Sequence, residues 1–124
     1  MAVPAAATWH HPTALETGSD RLHLIAISGV AVESLESLDR EVDPRVGQGL
    51  AGHTALTRAL AIVPDVAQDG HWITVPAMDE GVRSAAAVPL MVSEELVGVL
   101  NLLSDREGFF RGAHLPILRA VAAP

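Results

Sequence analysis

The chain has 124 residues, which suits one domain with a hydrophobic core and leaves no room for a second. Hydrophobic residues make up 49% of the chain and aromatic residues only 3%, which excludes disorder and requires an aliphatic core. The net charge is −7 and all 8 basic residues are arginine, so the clustered basic surface of a nucleic-acid-binding protein is missing and anionic membrane lipids would repel the chain.

The sequence contains no cysteine. Disulfide scaffolds, thiolate metal sites, thiol nucleophiles and thioether-linked chromophores are therefore excluded together. No uncharged apolar run reaches the roughly 18 residues that a membrane-spanning helix needs. The small apolar start lacks a basic region of the kind found in signal peptides, so we expect a cytoplasmic protein with no membrane contact.

The chain opens with a predicted β-hairpin. The apolar run Ala5–His10 forms the first predicted strand, which Pro12 closes. Turn-forming residues follow at Thr17–Asp20, and Arg21–Ser28 then alternates as the second arm of an antiparallel pair.

Helical spacing follows the hairpin. The leucines of Glu33–Leu38 suit one or two helical turns, and the hinge Gly47–Gly49 precedes a helix predicted over Leu50–Leu60. Gly52 inside that helix costs about 1 kcal/mol relative to alanine. We therefore expect it to permit the close approach of a neighbouring strand.

A short strand is predicted at Ala61–Val63, where Pro64–Asp65 ends it. The longest irregular stretch follows, over Val66–Gly81, and mixes His, Trp and Met with two glycines and a proline. A loop of this length in a small domain is usually functional or mobile.

The strongest predicted strands are Ser84–Val92 and Leu96–Leu103, which the polar turn Ser93–Glu95 joins. An amphipathic helix is predicted over Ala113–Ala123, with Pro116 tolerated in its first turn. Because short turns join neighbouring strands, we predict an α+β fold with an antiparallel sheet of five or six strands. Helices are expected on one face of this sheet and a loop-covered pocket on the other.

Several segments, in this order, resemble the GAF family of sensory domains, whose architecture is similar to that of PAS domains. They are a glycine-rich helix entry, a short strand with its turn, two long strands and an aromatic residue before the last helix, at Gly47–Gly52, Val63–Val66, Gly81–Leu90, Gly98–Asp105 and Phe109. The resemblance runs from about Ala5 to the C-terminus. It implies one domain over residues 1–124 whose N-terminal transmission helix is missing or very short, as in a domain taken from a larger protein.

The resemblance implies a ligand pocket between the sheet and the long loop. The predicted ligand-binding residues are Asp65, His71, Trp72, Met78, Arg83 and Ser84. Arg83 can hold a carboxylate or phosphate through two hydrogen bonds, but it can equally pair with Asp65, Asp79 or Glu80 to fix the loop. Asp65 can orient a polar ligand group or cap the loop through backbone N–H groups.

The function implied by the resemblance is a non-catalytic sensor module that binds a small ligand and signals through its terminal helices. The parent protein would be a bacterial-type signalling or transcription-regulating protein, with an output domain such as a histidine kinase, phosphatase, cyclase or DNA-binding regulator. One alternative is a dimerisation or protein-interaction module with a vestigial pocket. A homodimer is a further expectation, and the ligand and any cofactor stay unidentified.

A haem-based gas or redox sensor is a second alternative, because family members with haem take an axial ligand from the long loop, where this chain has His71 and Met78. No metal site is predicted, since the other histidines lack metal-ligand spacing. No enzyme is predicted either: the family's free methionine sulfoxide reductases need thiols, and no G-x-S-x-G or phosphate-binding lysine is present. The family's cyclic-nucleotide motif is broken, because Leu102 rather than lysine follows Asn101.

Overall fold

The computed structural model describes residues 8–15, 22–24, 45–70, 72, 81–112 and 114–122. Its elements in chain order are β1 (Thr8–Leu15), β2 (Leu22–Leu24), α1 (Gly49–Thr57), β3 (Ala61–Val63), a 3₁₀ turn (Val66–Gln68), β4 (Ser84–Val92), β5 (Glu95–Ser104) and α2 (His114–Ala122). The helical turns predicted at Glu33–Leu38 lie outside the described residues.

The described strands form a five-stranded sheet in the order β2-β1-β5-β4-β3, and every neighbouring pair is antiparallel. The two long strands β4 and β5 pair along their whole length, from Ser84 opposite Ser104 to Val92 opposite Glu95. The predicted α+β fold class and the pairing on which it depends are therefore confirmed.

The first strand differs from its prediction. Ala5–His10 was expected to end before Pro12, whereas β1 continues through this proline to Leu15. Pro12 lies opposite Leu100 of β5, while β2 pairs with the next three residues, Thr13–Leu15. A proline cannot donate a hydrogen bond to a sheet, so a strand continues through it only where a neighbouring strand does not need that bond.

Alternate residues of β4 face opposite sides of the sheet, and both sides are buried. Ala85 and Ala87 pack with α1, on a surface that we call the α1 face. Ala86 and Val88 pack with α2, on the α2 face. The two helices thus lie on opposite faces, which corrects the expectation of helices on one face. A continuous apolar run such as 85–88 is typical of a strand covered on both sides.

The core is correspondingly split into two apolar clusters. The buried cluster of the α1 face consists of Leu22, Leu50, Ala55, Val63, Val82, Ala85, Ala87, Leu96, Val99 and Leu103. The cluster of the α2 face is smaller and consists of Ala86, Val88, Phe110 and Leu118, with Leu100 and Leu102 partly buried beside it. Each helix is therefore held by its own cluster.

Helix α1 ends earlier than predicted because Arg58 adopts the left-handed conformation, with φ of 56°, and its N–H donates to the Thr54 carbonyl at 2.8 Å. The expected close approach at Gly52 exists, but the neighbour is the carbonyl of Arg45 in the preceding turn rather than a strand. A side chain at Gly52 would collide with this carbonyl.

The turn between β4 and β5 contains two residues, Ser93 and Glu94, both with positive φ, 50° and 68°. The Arg58 guanidinium donates to the Glu94 carbonyl at 3.3 Å, which ties the end of α1 to this turn. Helix α2 has Pro116 in its first turn as predicted, and it buries Leu118. Neither α1 nor α2 has the length and apolar character needed to cross a membrane.

Candidate ligand-binding site

Three polar side chains are buried on the α1 face or beneath its helix. Thr13 of β1 lies opposite Val99 of β5, and Asn101 of β5 lies opposite Ala87 of β4. Thr54 projects from α1 and is 0% exposed. Buried polar groups in an aliphatic core require hydrogen-bond partners, so each of these groups needs an explanation.

Thr13 and Thr54 differ in how their hydroxyl groups are satisfied. The Thr13 hydroxyl donates to the Val99 carbonyl at 3.1 Å, across the β1–β5 pairing. The Thr54 hydroxyl is equally buried, yet it has no hydrogen-bond partner among the described residues. Threonine in a helix commonly bonds the carbonyl one turn earlier, and Thr54 does not. A buried hydroxyl left in this state costs about 1–3 kcal/mol.

The contact between α1 and the sheet combines bulky and small apolar residues. On α1 these include Leu50 and Ala55, and β4 contributes Ala85 and Ala87. None of the buried side chains in the described part of the chain is charged. An apolar surface with a few polar groups is the usual lining of a small-molecule site.

Of the predicted ligand-binding residues that the structure describes, Trp72 is the one that reaches this face, where it is half-buried and packs against the α1-face cluster. Asp65 caps the 3₁₀ turn, because its carboxylate accepts the Ala67 N–H at 3.1 Å. The Val66 N–H donates to the Arg83 carbonyl at 2.9 Å, which fixes the start of the long predicted loop beside β4. Asp65 thus has the capping contact that the sequence offered as its alternative role.

Arg83 and Ser84 have structural contacts as well. The Arg83 guanidinium pairs with Glu107 at 3.2 Å, with both side chains more than half exposed, rather than with Asp65. Ser84 is fully buried, and its hydroxyl donates to the Arg106 carbonyl at 2.5 Å. Ser84 also accepts the Phe109 N–H at 3.4 Å.

Ser84 belongs to a serine pair that closes the α2 side of the sheet. Its neighbour across the strands, Ser104, accepts the Arg106 N–H at 3.2 Å through its hydroxyl. These bonds fold the loop after β5 so that Phe110 enters the α2-face cluster. The structure therefore does not bring Ser84 together with Trp72, since they lie on opposite faces of the sheet.

His71 and Met78 lie outside the described residues, so their predicted ligand contacts, and the haem hypothesis that depends on them, stay predictions. Among the described residues no group of three His, Asp or Glu side chains is arranged to hold a metal ion. Sequence reasoning missed Thr54 as a site residue. The signal for Thr54 was its position one turn after Leu50, on the inward side of the predicted helix.

A family model described as the GAF domain matches residues 13–124. The chain belongs to the GAF domain family. This membership confirms the resemblance of the glycine-rich helix entry and the two long strands. Among the curated proteins, none matches this GAF domain significantly.

Solved structures share the fold at low sequence identity. A type II free methionine-R-sulfoxide reductase from Thermoplasma acidophilum has a TM-score of 0.73 and 21% identity, covering 93% of this chain and 73% of that one. A free methionine-R-sulfoxide reductase from Neisseria meningitidis has a TM-score of 0.70 and 22% identity, with 92% and 64% covered. The GAF domain of an Acinetobacter phosphoenolpyruvate-protein phosphotransferase has a TM-score of 0.72 and 20% identity, with 93% and 65% covered.

These similarities correct one expectation. The sequence-based exclusion of enzymatic activity is wrong, because reductases share this fold over nearly the whole chain and the fold is therefore compatible with catalysis. At these identities the likeness shows the fold alone. The chain also spans less than two thirds of the length of several of these structures.

Proposed function

We propose that this GAF domain binds a small molecule at the α1 face and regulates a larger protein of which it is one module. The observation that carries the proposal is the buried hydroxyl of Thr54, which has no partner among the described residues and lies in a contact where none of the described buried side chains is charged. A binding site retains such a polar group at a cost to stability because a ligand satisfies it.

The wider setting is part of the same proposal. Two structures of this fold, from Acinetobacter and Coxiella burnetii, are GAF domains of phosphoenolpyruvate-protein phosphotransferases, so such modules occur beside output domains. We place this chain in a cytoplasmic signalling or transcription-regulating protein, with an output domain such as a histidine kinase, phosphatase, cyclase or DNA-binding regulator. Ligand binding would change the packing of the terminal helix α2 against the sheet.

A thermal-shift screen tests the binding proposal. The panel contains nucleotides, amino acids, fatty acids, aromatic acids and neutral amides. A ligand present at 100 times its Kd stabilises the folded state by about 2.7 kcal/mol, which raises Tm by roughly 10 °C in a domain of this size. A flat response over the panel, together with an α1 face filled by side chains in an experimental density map, would contradict the proposal.

A homodimer through α2 is a second candidate function. Ile117 and Val121, one turn apart on the outward side of α2, are 63% and 47% exposed. Pro116 and Ala120 share this outward side, which therefore has little polar character. A helix that is apolar on both sides usually has a second partner.

Sedimentation equilibrium tests the proposed homodimer independently of ligand binding. Ile117→Glu should dissociate a dimer formed through α2, while the matched control Arg119→Glu, on the same helix, should leave it intact. A wild-type chain that stays monomeric at high concentration would exclude the dimer and leave the ligand-binding proposal untouched.

A further inference from the structure

We infer that the Thr54 hydroxyl is the hydrogen-bonding anchor of the ligand, and that this ligand is a compact, uncharged molecule bearing an amide, carbonyl or alcohol group. The inference presupposes that the α1 face binds a ligand. It adds the residue that makes the polar contact and the chemical class that fits it.

The position of Thr54 on α1 is the first step. Thr54 lies one turn after Leu50 and one residue before Ala55, and both of these neighbours are buried in the α1-face cluster. Residues four apart, such as Leu50 and Thr54, share one side of a helix. The threonine hydroxyl is therefore held at the contact between helix and sheet, away from solvent.

The chemistry of a hydroxyl is the second step. It can donate one hydrogen bond and accept two, so amides, carbonyls and alcohols are all suitable partners. Thr54 is 0% exposed and its oxygen has no partner in the described part of the chain, which leaves this capacity unused. Thr13 provides the internal contrast, since its hydroxyl is satisfied by the Val99 carbonyl.

The charge of the described buried residues favours an uncharged ligand. The described buried residues include no charged side chain, and the Arg83–Glu107 ion pair is on the surface. A carboxylate or phosphate moved into this contact would lose its hydration without gaining an opposite charge, which is strongly unfavourable. An uncharged polar group avoids that penalty.

Size is the fourth step. Thr54 is covered completely, so a ligand reaches it only if the residues that cover it shift. Leu50, Val99 and Leu103 are among the bulky residues of the cluster, whereas β4 contributes the small side chains of Ala85 and Ala87. A compact molecule fits these surroundings, and its association should be slow because binding requires a conformational change.

The test uses two matched pairs of probes, benzamide against benzoate and isobutyramide against isobutyrate, titrated into the full chain by ¹⁵N NMR. The members of a pair have nearly the same shape and differ in charge. We expect both amides to shift resonances of α1 and β5, and each carboxylate to bind at least about tenfold more weakly than its amide. Amide and carboxylate binding with equal affinity would overturn the ligand class.

Variants test the anchor itself. Thr54→Val keeps the shape of the side chain and removes its hydroxyl, so amide affinity should fall about fivefold or more, the value of one net hydrogen bond. Thr54→Ser should stay within about twofold of the wild type, and the control Thr13→Val should bind amides normally. Thr54→Ala serves as a second deletion of the hydroxyl if the valine variant does not fold.

The failures can be told apart. Amide binding that Thr54→Val leaves unchanged overturns the anchor and leaves the proposed function standing. If the amides do not bind the wild type, the anchor and the ligand class are both overturned. The thermal-shift panel then decides separately whether the α1 face binds any ligand.

Discussion

The hydroxyl groups buried on the two faces of the sheet differ in whether they have hydrogen-bond partners. On the α2 side, Ser84 and Ser104 are fully buried, and their hydroxyls bond the backbone of the loop that follows β5. On the α1 side, Thr13 is bonded to a neighbouring strand, but Thr54 has no partner among the described residues. The α2 side is completed by its own chain, whereas the α1 side retains an unused hydrogen-bonding group.

The bonded serine hydroxyls of the α2 side hold a loop in place, whereas the Thr54 hydroxyl of the α1 side, unbonded among the described residues, marks a candidate binding surface. Folding satisfies nearly all buried polar groups, because each failure costs a sizeable part of a total stability of 5–15 kcal/mol. Where a group is left without a partner, a function is the first explanation to test. Substitutions on each face can therefore test whether the buried hydroxyls contribute to stability as their contacts predict.

The largest loss of stability is expected at Gly98, where the backbones of β5 and β1 are in close contact. Gly98 of β5 lies against the backbone of β1, and a Cβ there would collide with the Thr13 carbonyl. Gly98→Ala should lower the free energy of unfolding by about 3 kcal/mol, since backbone cannot move aside as a side chain can. Urea denaturation measures this loss.

Gly70→Ala is the matched control for Gly98→Ala, because a Cβ at Gly70 meets nothing within 4 Å. It should change stability by less than about 0.5 kcal/mol. Equal losses for the two variants would show that close packing of β1 on β5 does not explain the glycine.

The next largest loss of stability is expected at Ser84, whose hydroxyl holds the loop after β5 on the α2 side. Ser84→Ala removes the hydroxyl that bonds the Arg106 carbonyl and the Phe109 N–H, so stability should fall by about 2 kcal/mol. Ser93→Ala, in the exposed turn, is the control and should have almost no effect. If Ser84→Ala is as stable as the wild type, the serine does not hold this loop.

A stabilising change is expected at the turn between β4 and β5. Ser93 and Glu94 have positive φ, which a two-residue turn of type I′ requires and which Asn-Gly adopts with less strain. Combining Ser93→Asn with Glu94→Gly should raise the free energy of unfolding by about 1 kcal/mol. Calorimetry of the double variant would contradict this if Tm fell, and ligand binding at the α1 face should not change.

The smallest effect is expected at the surface pair. Arg83→Ala should change stability by less than about 0.5 kcal/mol, because its bond to Glu107 is more than half exposed on both sides. Comparison with Glu107→Gln separates the two roles that the sequence left open for Arg83. A loss of ligand affinity in Arg83→Ala alone would favour a ligand contact, and identical behaviour of both variants would favour a surface ion pair.

The sequence predicted much of this fold because its strongest patterns are local. Strands β3 and β4 have the predicted bounds, and β5 differs by one residue at each end. The extent of β1 through Pro12 could not be predicted, because whether proline ends a strand depends on which neighbours pair beside it. The placement of α2 on the second face was within reach, since Ala85–Val88 is continuously apolar.

The candidate site was harder to predict than the fold. Asp65, Arg83 and Ser84 were selected as polar residues around a predicted loop, and the described contacts give each of them a partner within the chain. The sequence cannot show that the Thr54 hydroxyl lacks a partner, because a threonine in a helix ordinarily satisfies its own hydroxyl. Only the packed structure shows that this one lacks a partner in the described residues.

Urea unfolding of Thr54→Val beside Thr13→Val shows whether the Thr54 hydroxyl is left without a partner in the folded chain. Removing the bonded Thr13 hydroxyl should cost about 1 kcal/mol, whereas removing the unpartnered Thr54 hydroxyl from the ligand-free chain should raise stability by about 1 kcal/mol. Losses of the same size in both variants would contradict the account, because they would show that folding itself satisfies the Thr54 hydroxyl.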